Sequence, residues 1–149
     1  REFLTVGSMG HSSAIALGIA LAKPSKNVFC FDGDGALLMH LGTMATVGVS
    51  KVENFRHILL NNGAHDSVGG QPTGAFGIDF SAIASEVGYK VALRAKTPDE
   101  VIEGVRKLRT LPGPSFLEIR CNIGARLNLG RPKRTPIENK HDFMKFLEN

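Results

Sequence analysis

Short apolar runs alternate along the chain with longer segments in which apolar residues recur at helical spacing. The runs predict strands at 3–6, 27–31, 57–60, 90–94 and 115–120, and the longer segments predict helices at 12–22, 36–49, 79–87, 98–108 and 139–147. Continuous apolar strands are typical of a sheet that is covered on both faces, and alternation with helices is typical of right-handed βαβ units. The pattern therefore predicts an α/β fold with a doubly wound, mostly parallel sheet.

Polar residues at the helix ends agree with this segmentation. Ser12 or Ser13 is predicted to cap the first helix, and Asp79 is predicted to cap the third. Thr97 and Glu100 have the spacing of a capping box at the start of the fourth helix. The segment 61–77 is rich in glycine, has no periodicity and is predicted to be a long loop.

Length and composition favour one domain over residues 1–149, with a tail over 123–149 that is rich in proline, glycine and arginine. The chain starts abruptly just before its first predicted strand, and we expect an upstream piece of the domain to be missing. The net charge is +4, but there is one tyrosine and no tryptophan, so we expect no nucleic-acid ligand. The basic excess indicates a solvated surface or the steering of an anionic small substrate.

The cysteines and the apolar runs bear on the cellular setting. Cys30 and Cys121 lie in apolar, strand-like runs, and we expect buried, reduced thiols with no disulfide framework and no zinc site. No run approaches 18 uninterrupted apolar residues, so no membrane span is expected. The start of the chain lacks the pattern of a signal peptide, and we expect a cytoplasmic location.

Three polar, glycine-rich loops follow predicted strands, at 7–12, 31–36 and 61–73. In a doubly wound sheet the carboxyl ends of parallel strands share one edge, where ligands bind beside helix N-termini. The sequence therefore predicts that these loops meet at a single site.

The second loop contains Gly33-Asp34-Gly35 directly before a predicted helix. Two glycines allow the backbone to turn sharply beside a ligand, and the free N–H groups of the helix start suit a diphosphate. Asp34 alone would repel phosphate, so its position implies a bridging cation, and oxygen ligands favour Mg²⁺. Asn62 could add an amide oxygen and a loop carbonyl a third ligand, although both regions could also be ordinary turns.

A phosphatase that uses an aspartate nucleophile is another interpretation of Asp32-Gly33-Asp34-Gly35. Such an enzyme needs lysine and acidic partners later in the chain, and no convincing set follows.

The Gly33-Asp34-Gly35 triplet, followed after one helix and one strand by Asn61-Asn62, resembles the motif of enzymes that depend on thiamine diphosphate (ThDP). This resemblance implies that Mg²⁺ is held by Asp34, the side chain of Asn62 and the carbonyl of Ala64. It also implies that the diphosphate meets the turn at Gly33 and the amides of Gly35 and Ala36.

The first loop resembles the segment that lies under the cofactor in decarboxylases of this superfamily. The resemblance implies that the Gly7 carbonyl accepts a hydrogen bond from the pyrimidine amino group and that Met9 is the apolar wedge under the bent cofactor. Gly10 and His11 would face the diphosphate. Met9 could instead be a core residue, and His11 could instead be a helix cap.

Longer stretches resemble the phosphonopyruvate decarboxylase family over nearly the whole chain. They are TVGSMGH at 5–11, DGDGALLMH at 32–40, LNNGAHDSVGGQPT at 60–73 and LGRPKRTPIENK at 129–140. The resemblance implies ThDP- and Mg²⁺-dependent decarboxylation of phosphonopyruvate to phosphonoacetaldehyde. Sulfopyruvate decarboxylases share much of the 60–73 loop, so a subunit of that enzyme is an alternative, as is a ThDP-binding domain without catalytic activity.

The resemblance also implies a partner, because the glutamate that activates ThDP lies on a separate pyrimidine-binding domain in this superfamily. We therefore expect a pyrimidine-binding domain or subunit and a homo- or hetero-oligomer. We expect the 61–73 loop to close over the active site with His65 as a proton donor or phosphonate contact. A surface histidine on a capped loop is the alternative.

Overall fold

The computed structural model describes residues 1–148, so Asn149, the last residue of the predicted tail, lies outside the described part. Four strands form one sheet: β1 Val28–Gly33, β2 Phe55–Asn61, β3 Val91–Ala95 and β4 Ser115–Arg120. Their order is β1-β2-β4-β3 and every pairing is parallel. The helices are α1 Ser12–Ala22, α2 Asp34–Met39, α3 Thr43–Ser50, α4 Phe80–Glu86, α5 Pro98–Thr110 and α6 Pro136–Glu148, with short 3₁₀ helices at Asp66–Val68 and Ala75–Gly77.

Helices cover both faces of this sheet, which confirms the predicted doubly wound α/β fold. The larger core lies between the sheet and α1 to α4, and includes Leu37, Met44, Phe55, Phe80 and Phe116. The smaller core lies under α5 and includes Ile58, Ala95, Leu108 and Leu117. Adjacent residues of β2 and β4 face opposite cores, which explains why these strands are apolar without alternation.

The strand predicted at residues 3–6 is wrong, and the described residues contain four strands instead of five. This segment contacts α6 instead of a neighbouring strand. The amide of Leu4 donates to Oδ1 of Asn139 at 2.9 Å, and the rings of Phe3 and Phe143 lie 5.8 Å apart. A backbone donor that is satisfied by a side chain is not available to a sheet ladder.

The helix predicted at 36–49 is two helices. Helix α2 begins two residues earlier than predicted, at Asp34, and ends at Met39 because His40 leaves the helical conformation. Gly42 precedes α3, and glycine weakens a helix interior by about 1 kcal/mol. The consequence for the site is that Asp34 and Gly35 both lie in the first turn of a helix.

Side-chain capping was predicted correctly for α4 and α5 but not for α1. Asp79 caps α4 by accepting from the amide of Ala82, and Thr97 forms the predicted capping box with Glu100. Helix α1 has the predicted bounds, but His11 is its N-cap and makes no side-chain capping bond, so the assignment to Ser12 or Ser13 is wrong.

Helix α6 starts three residues earlier than predicted, at Pro136. Thr135 and Glu138 exchange hydrogen bonds in the form of a capping box at this start. No helix among residues 1–148 combines the length and the apolarity that a membrane crossing requires.

Candidate functional site

The first loop turns tightly and packs against the start of α2. Gly7, Ser8 and Gly10 all have positive φ angles, of 73°, 48° and 90°. Gly10 is buried, and a Cβ atom at this position would lie only 2.6 Å from the carbonyl oxygen of Ala36. The rings of His11 and His40 are 4.1 Å apart, and Met9 is partly buried. The loop reaches the predicted edge although no strand precedes it.

The start of α2 presents the second loop. Gly33 is the N-cap in an extended conformation, and Asp34 and Gly35 are buried. A Cβ atom at Gly33 would meet nothing within 4 Å, so open space adjoins the turn. The first backbone N–H groups of a helix have no partner within the helix, and here they belong to the Gly33–Ala36 turn that was predicted to meet a diphosphate.

The paired asparagines lie at the end of β2, where Asn61 is the last strand residue and Asn62 follows it, and they have different hydrogen-bond partners. Asn61 is fully buried, donates to Oε1 of Glu118 at 2.7 Å and accepts from the amide of Gly63. Oδ1 of Asn62 accepts from the amide of Ala64 at 3.1 Å, and its Nδ2 donates to Oδ2 of Asp66 at 3.3 Å. Asn61 thus anchors the turn, while Asn62 stays with the loop at the sheet edge.

The third loop reaches back across α2. Oγ1 of Thr73 donates to Oδ2 of Asp34, although the two residues are 39 positions apart. The imidazole of His65 packs on Gly35, where a Cβ atom would lie 2.4 Å from Nδ1 of the ring. With the contact between Gly10 and Ala36, these contacts confirm that the three loops meet at one edge of the sheet.

The loop itself is closed by its own backbone. Ala64 and Pro72 form an isolated antiparallel bridge, and the amide of His65 donates to the carbonyl of Gln71 at 2.8 Å. Residues 66–70 form an exposed tip, at which Gly69 and Gly70 have positive φ angles. Nδ1 of His65 is buried and has no hydrogen-bond partner among the described residues, so it can serve a bound group.

A buried carboxylate supports the asparagine turn from behind. Glu118 is fully buried and accepts hydrogen bonds from Nε of Arg94 and from the amide of Asn61, each at 2.7 Å. Nε of Arg120 lies 2.7 Å from Oε1 as an ion pair, without the alignment of a hydrogen bond. Two hydrogen bonds and a second guanidinium charge around one buried carboxylate compensate its desolvation. The guanidinium of Arg120 also lies 4.7 Å above the ring of Phe76, which packs against Gly63.

A second buried polar cluster lies beneath the Gly33–Ala36 turn. Ligand atoms of Cys30, Asp32 and His57 lie within 4.8 Å of one another, because the parallel register sets Cys30 beside His57. Nε2 of His57 is 3.4 Å from Oδ2 of Asp32, without the alignment of a hydrogen bond, and its Nδ1 is 3.2 Å from the hydroxyl of Tyr89. No zinc site was expected from the sequence, and this cluster was not predicted.

Burial raises the pKa of the Cys30 thiol to about 12, so the group is protonated at neutral pH and is a weak metal ligand. Cys121 is free and only partly buried, so the expectation of two buried thiols holds for Cys30 alone.

The oxygen atoms available where the three loops meet are suitable ligands for a magnesium ion. Asp34 offers a carboxylate, Asn62 an amide oxygen and Ala64 a carbonyl, which are the hard ligands that Mg²⁺ prefers. Oδ1 of Asn62 already accepts one hydrogen bond, but an amide oxygen has a second lone pair. Thr73 contacts Asp34, and Asp66 contacts Asn62. Neither contact was predicted, because the spacing of residues in the sequence does not indicate it.

Comparisons with known proteins identify the family of this chain. The family model described as "Thiamine pyrophosphate enzyme, C-terminal TPP binding domain" matches residues 1–119. Phosphonopyruvate decarboxylase of Streptomyces viridochromogenes is 37% identical over 147 residues, which is 99% of this chain and 37% of that protein. The chain therefore spans little more than a third of this relative's length.

Two further proteins are informative. Sulfopyruvate decarboxylase subunit beta of Methanococcus maripaludis is 28% identical over 148 residues, 99% of this chain and 78% of that subunit. The thiamine diphosphate-dependent 4-hydroxybenzoylformate decarboxylase of Rhodococcus jostii RHA1 shares the fold with a TM-score of 0.66 at 22% identity, over 78% of this chain and 24% of that chain. The chain belongs to the family of C-terminal, thiamine pyrophosphate-binding domains of thiamine pyrophosphate enzymes.

Proposed function

We propose that this chain is the diphosphate- and Mg²⁺-binding half of a decarboxylase that converts phosphonopyruvate, with uptake of a proton, to phosphonoacetaldehyde and CO₂. The observation that carries the proposal is the meeting of Asp34, Asn62 and the first turn of α2 at one edge of the sheet, in a chain of this family. The 37% identity to a phosphonopyruvate decarboxylase over 99% of the chain supports the choice of substrate.

Each residue has a proposed task. Asp34, Asn62 and the carbonyl of Ala64 hold Mg²⁺, and the Gly33 turn with the amides of Gly35 and Ala36 binds the diphosphate. When bound, thiamine diphosphate supplies the electron sink for loss of CO₂. Gly35 is required for close approach, because a side chain there would occupy the position of the His65 ring.

The first loop has the task of orienting the organic part of the cofactor. The Gly7 carbonyl would accept from the pyrimidine amino group, Met9 would support the bent conformation, and Gly10 with His11 would line the diphosphate side. The positive φ angles of Gly7 and Gly10 support this proposal, since the turn brings the loop against Ala36.

His65 is the proposed proton donor or phosphonate contact. Its Nδ1 atom is buried beside Gly35 and lacks a partner in the part of the chain that the structure describes. A protonated Nδ1 could donate to an anionic oxygen. His65→Ala is expected to lower turnover by about 10-fold or more while ThDP affinity stays nearly unchanged. Unchanged turnover would refute this role for His65.

The proposed activity requires a partner. This partner is a pyrimidine-binding domain or subunit that supplies the acid for cofactor activation. We propose that the domain over 1–149 is completed by such a partner in a homo- or hetero-oligomer. The relative named subunit beta supports a separate subunit, since this chain covers 78% of its length. The same observation favours sulfopyruvate decarboxylase as a second candidate function.

The test is CO₂ release from phosphonopyruvate and from sulfopyruvate, measured side by side with ThDP and Mg²⁺. The chain is joined to, or mixed with, its pyrimidine-binding half. A higher kcat/KM for phosphonopyruvate supports the proposal, and a higher value for sulfopyruvate replaces it by the second candidate. Binding of ThDP without CO₂ release from either substrate would indicate a domain without catalytic activity.

A further inference from the structure

The two side chains of the proposed metal site each have a hydrogen-bond partner in the 61–73 loop. Asp34 is buried at the start of α2 and has a hydroxyl partner, and Asn62 directly follows β2 and has a carboxylate partner. The two partners are Thr73 and Asp66. Neither has a task in the proposed function, and each constrains a ligand in a way that can be worked out from its hydrogen bonds.

Thr73 has its hydroxyl proton committed to Asp34. The amide of Ala75 donates to Oγ1 of Thr73 at 3.3 Å, so the hydroxyl oxygen is an acceptor in that bond, and its single proton is available for Oδ2 of Asp34. The amide of Thr73 in turn donates to the carbonyl of Gly63 at 2.8 Å. This arrangement fixes the rotation of the Asp34 carboxylate and leaves Oδ1 for a cation.

Asp66 selects one of the two orientations of the Asn62 amide. A carboxylate can only accept hydrogen bonds, so the NH₂ group of Asn62 must face Oδ2 of Asp66. The amide oxygen is thereby turned toward the amide of Ala64 and the site. The same Asp66 oxygen accepts from the amide of Gly124 at 2.8 Å, so the segment after β4 helps to hold the carboxylate in place.

We infer that Thr73 and Asp66 are positioning residues that orient the Asp34 carboxylate and the Asn62 amide oxygen for the cation. The inference rests on the proposed function, because it assumes the magnesium site. Partners of metal ligands set ligand orientation, and their loss commonly lowers metal affinity by about 10–100-fold. A loop-closing role without effect on the metal would instead change stability and leave metal affinity alone.

Matched variants separate these roles. Thr73→Val keeps the shape and removes the proton donor, whereas Thr73→Ser keeps the hydroxyl. Asp66→Asn is nearly isosteric but can present an NH₂ group to Asn62. Ser67→Ala changes an exposed residue at the loop tip and is the control.

The measurement is calorimetric titration of ThDP into the full protein that carries this chain, repeated over a series of Mg²⁺ concentrations. The midpoint Mg²⁺ concentration for ThDP binding is expected to rise by about 10–100-fold in Thr73→Val and about 10-fold in Asp66→Asn. Thr73→Ser should stay within about 3-fold, and Ser67→Ala should match wild type. Thermal unfolding without ligands, recorded in parallel, reports any loss of fold.

The outcomes are distinguishable. If wild type binds ThDP with a Mg²⁺ midpoint and Thr73→Val has the same midpoint, the positioning role is overturned and the proposed function stands. A lower melting temperature with an unchanged midpoint would overturn it in the same way. If wild type shows no Mg²⁺-dependent ThDP binding, the proposed metal site and the inference fall together.

Discussion

Replacing Gly10 with alanine tests the contact that joins the first loop to α2. Gly10 has a φ angle of 90°, a region that costs residues with a Cβ atom about 1–2 kcal/mol. The new methyl group would also lie 2.6 Å from the carbonyl oxygen of Ala36 and 2.6 Å from Cδ2 of His40. A backbone oxygen cannot rotate away as a side chain can, so the helix start or the loop must move.

Overpacking of this kind adds about 1–3 kcal/mol, so Gly10→Ala is expected to lose about 2–5 kcal/mol in total. That loss corresponds to a fall in melting temperature of about 5–15 °C for a domain of this size. Gly7→Ala is the matched control, because Gly7 has a φ angle of 73° but a Cβ atom there meets nothing within 4 Å. Only the backbone cost of about 1–2 kcal/mol is expected at Gly7.

Thermal unfolding followed by circular dichroism measures both variants against wild type. Titration with ThDP and Mg²⁺ then reports the site, and Gly10→Ala is expected to bind the cofactor more weakly because the start of α2 is displaced. Equal melting temperatures for Gly10→Ala and Gly7→Ala would refute the packing argument. A destabilised Gly10→Ala variant with normal cofactor affinity would place the contact outside the site.

Two further predictions concern the buried polar groups. Glu118→Ala removes the hydrogen-bond acceptor of Arg94 and Asn61 and the ion-pair partner of Arg120, and should cost about 3–5 kcal/mol in urea unfolding. Glu103→Ala, at an exposed ion pair of α5, should leave the urea midpoint nearly unchanged, and similar losses for the two variants would contradict the role of Glu118. The pKa of Cys30 is raised by burial from 9.0 to about 12, so the unfolded chain releases this proton first, and stability should fall by about 1 kcal/mol per pH unit above pH 9. The urea midpoint of Cys30→Ala should fall less steeply than that of wild type between about pH 9 and 10.5. Equal slopes for the two proteins would show that Cys30 is not the source of the pH dependence.

The elements whose signals are local were predicted well from the sequence. Strand β4 and helix α1 have the predicted bounds, and the capping box of Thr97 and Glu100 is present. Capping and apolar runs depend on residues a few positions apart, so the sequence displays them directly. The strand predicted at residues 3–6 failed because a strand also needs a neighbour, and Asn139 supplies the partner there instead.

The candidate site likewise contains features that the sequence predicts and contacts that it does not. The meeting of the second and third loops was predictable, because the carboxyl ends of parallel strands share an edge. The first loop reaches that edge without a strand before it, by packing Gly10 against Ala36. The bond from Thr73 to Asp34 and the packing of His65 on Gly35 span distant positions, and they depend on how the loop folds back. The cluster of Cys30, Asp32 and His57 likewise follows from the register of β1 against β2, which spacing alone does not specify.

The position of β1 at the end of the sheet has a practical consequence. Among residues 1–148 only β2 pairs with β1, and Phe29 and Phe31 of this strand are exposed. An apolar strand edge without a paired neighbour is a template for pairing with other chains. Preparations of this 149-residue chain alone should therefore self-associate as protein concentration rises, with light scattering increasing before any loss of helical signal. A charged substitution at Phe31, which points away from the buried Cys30 and Asp32, should delay that association.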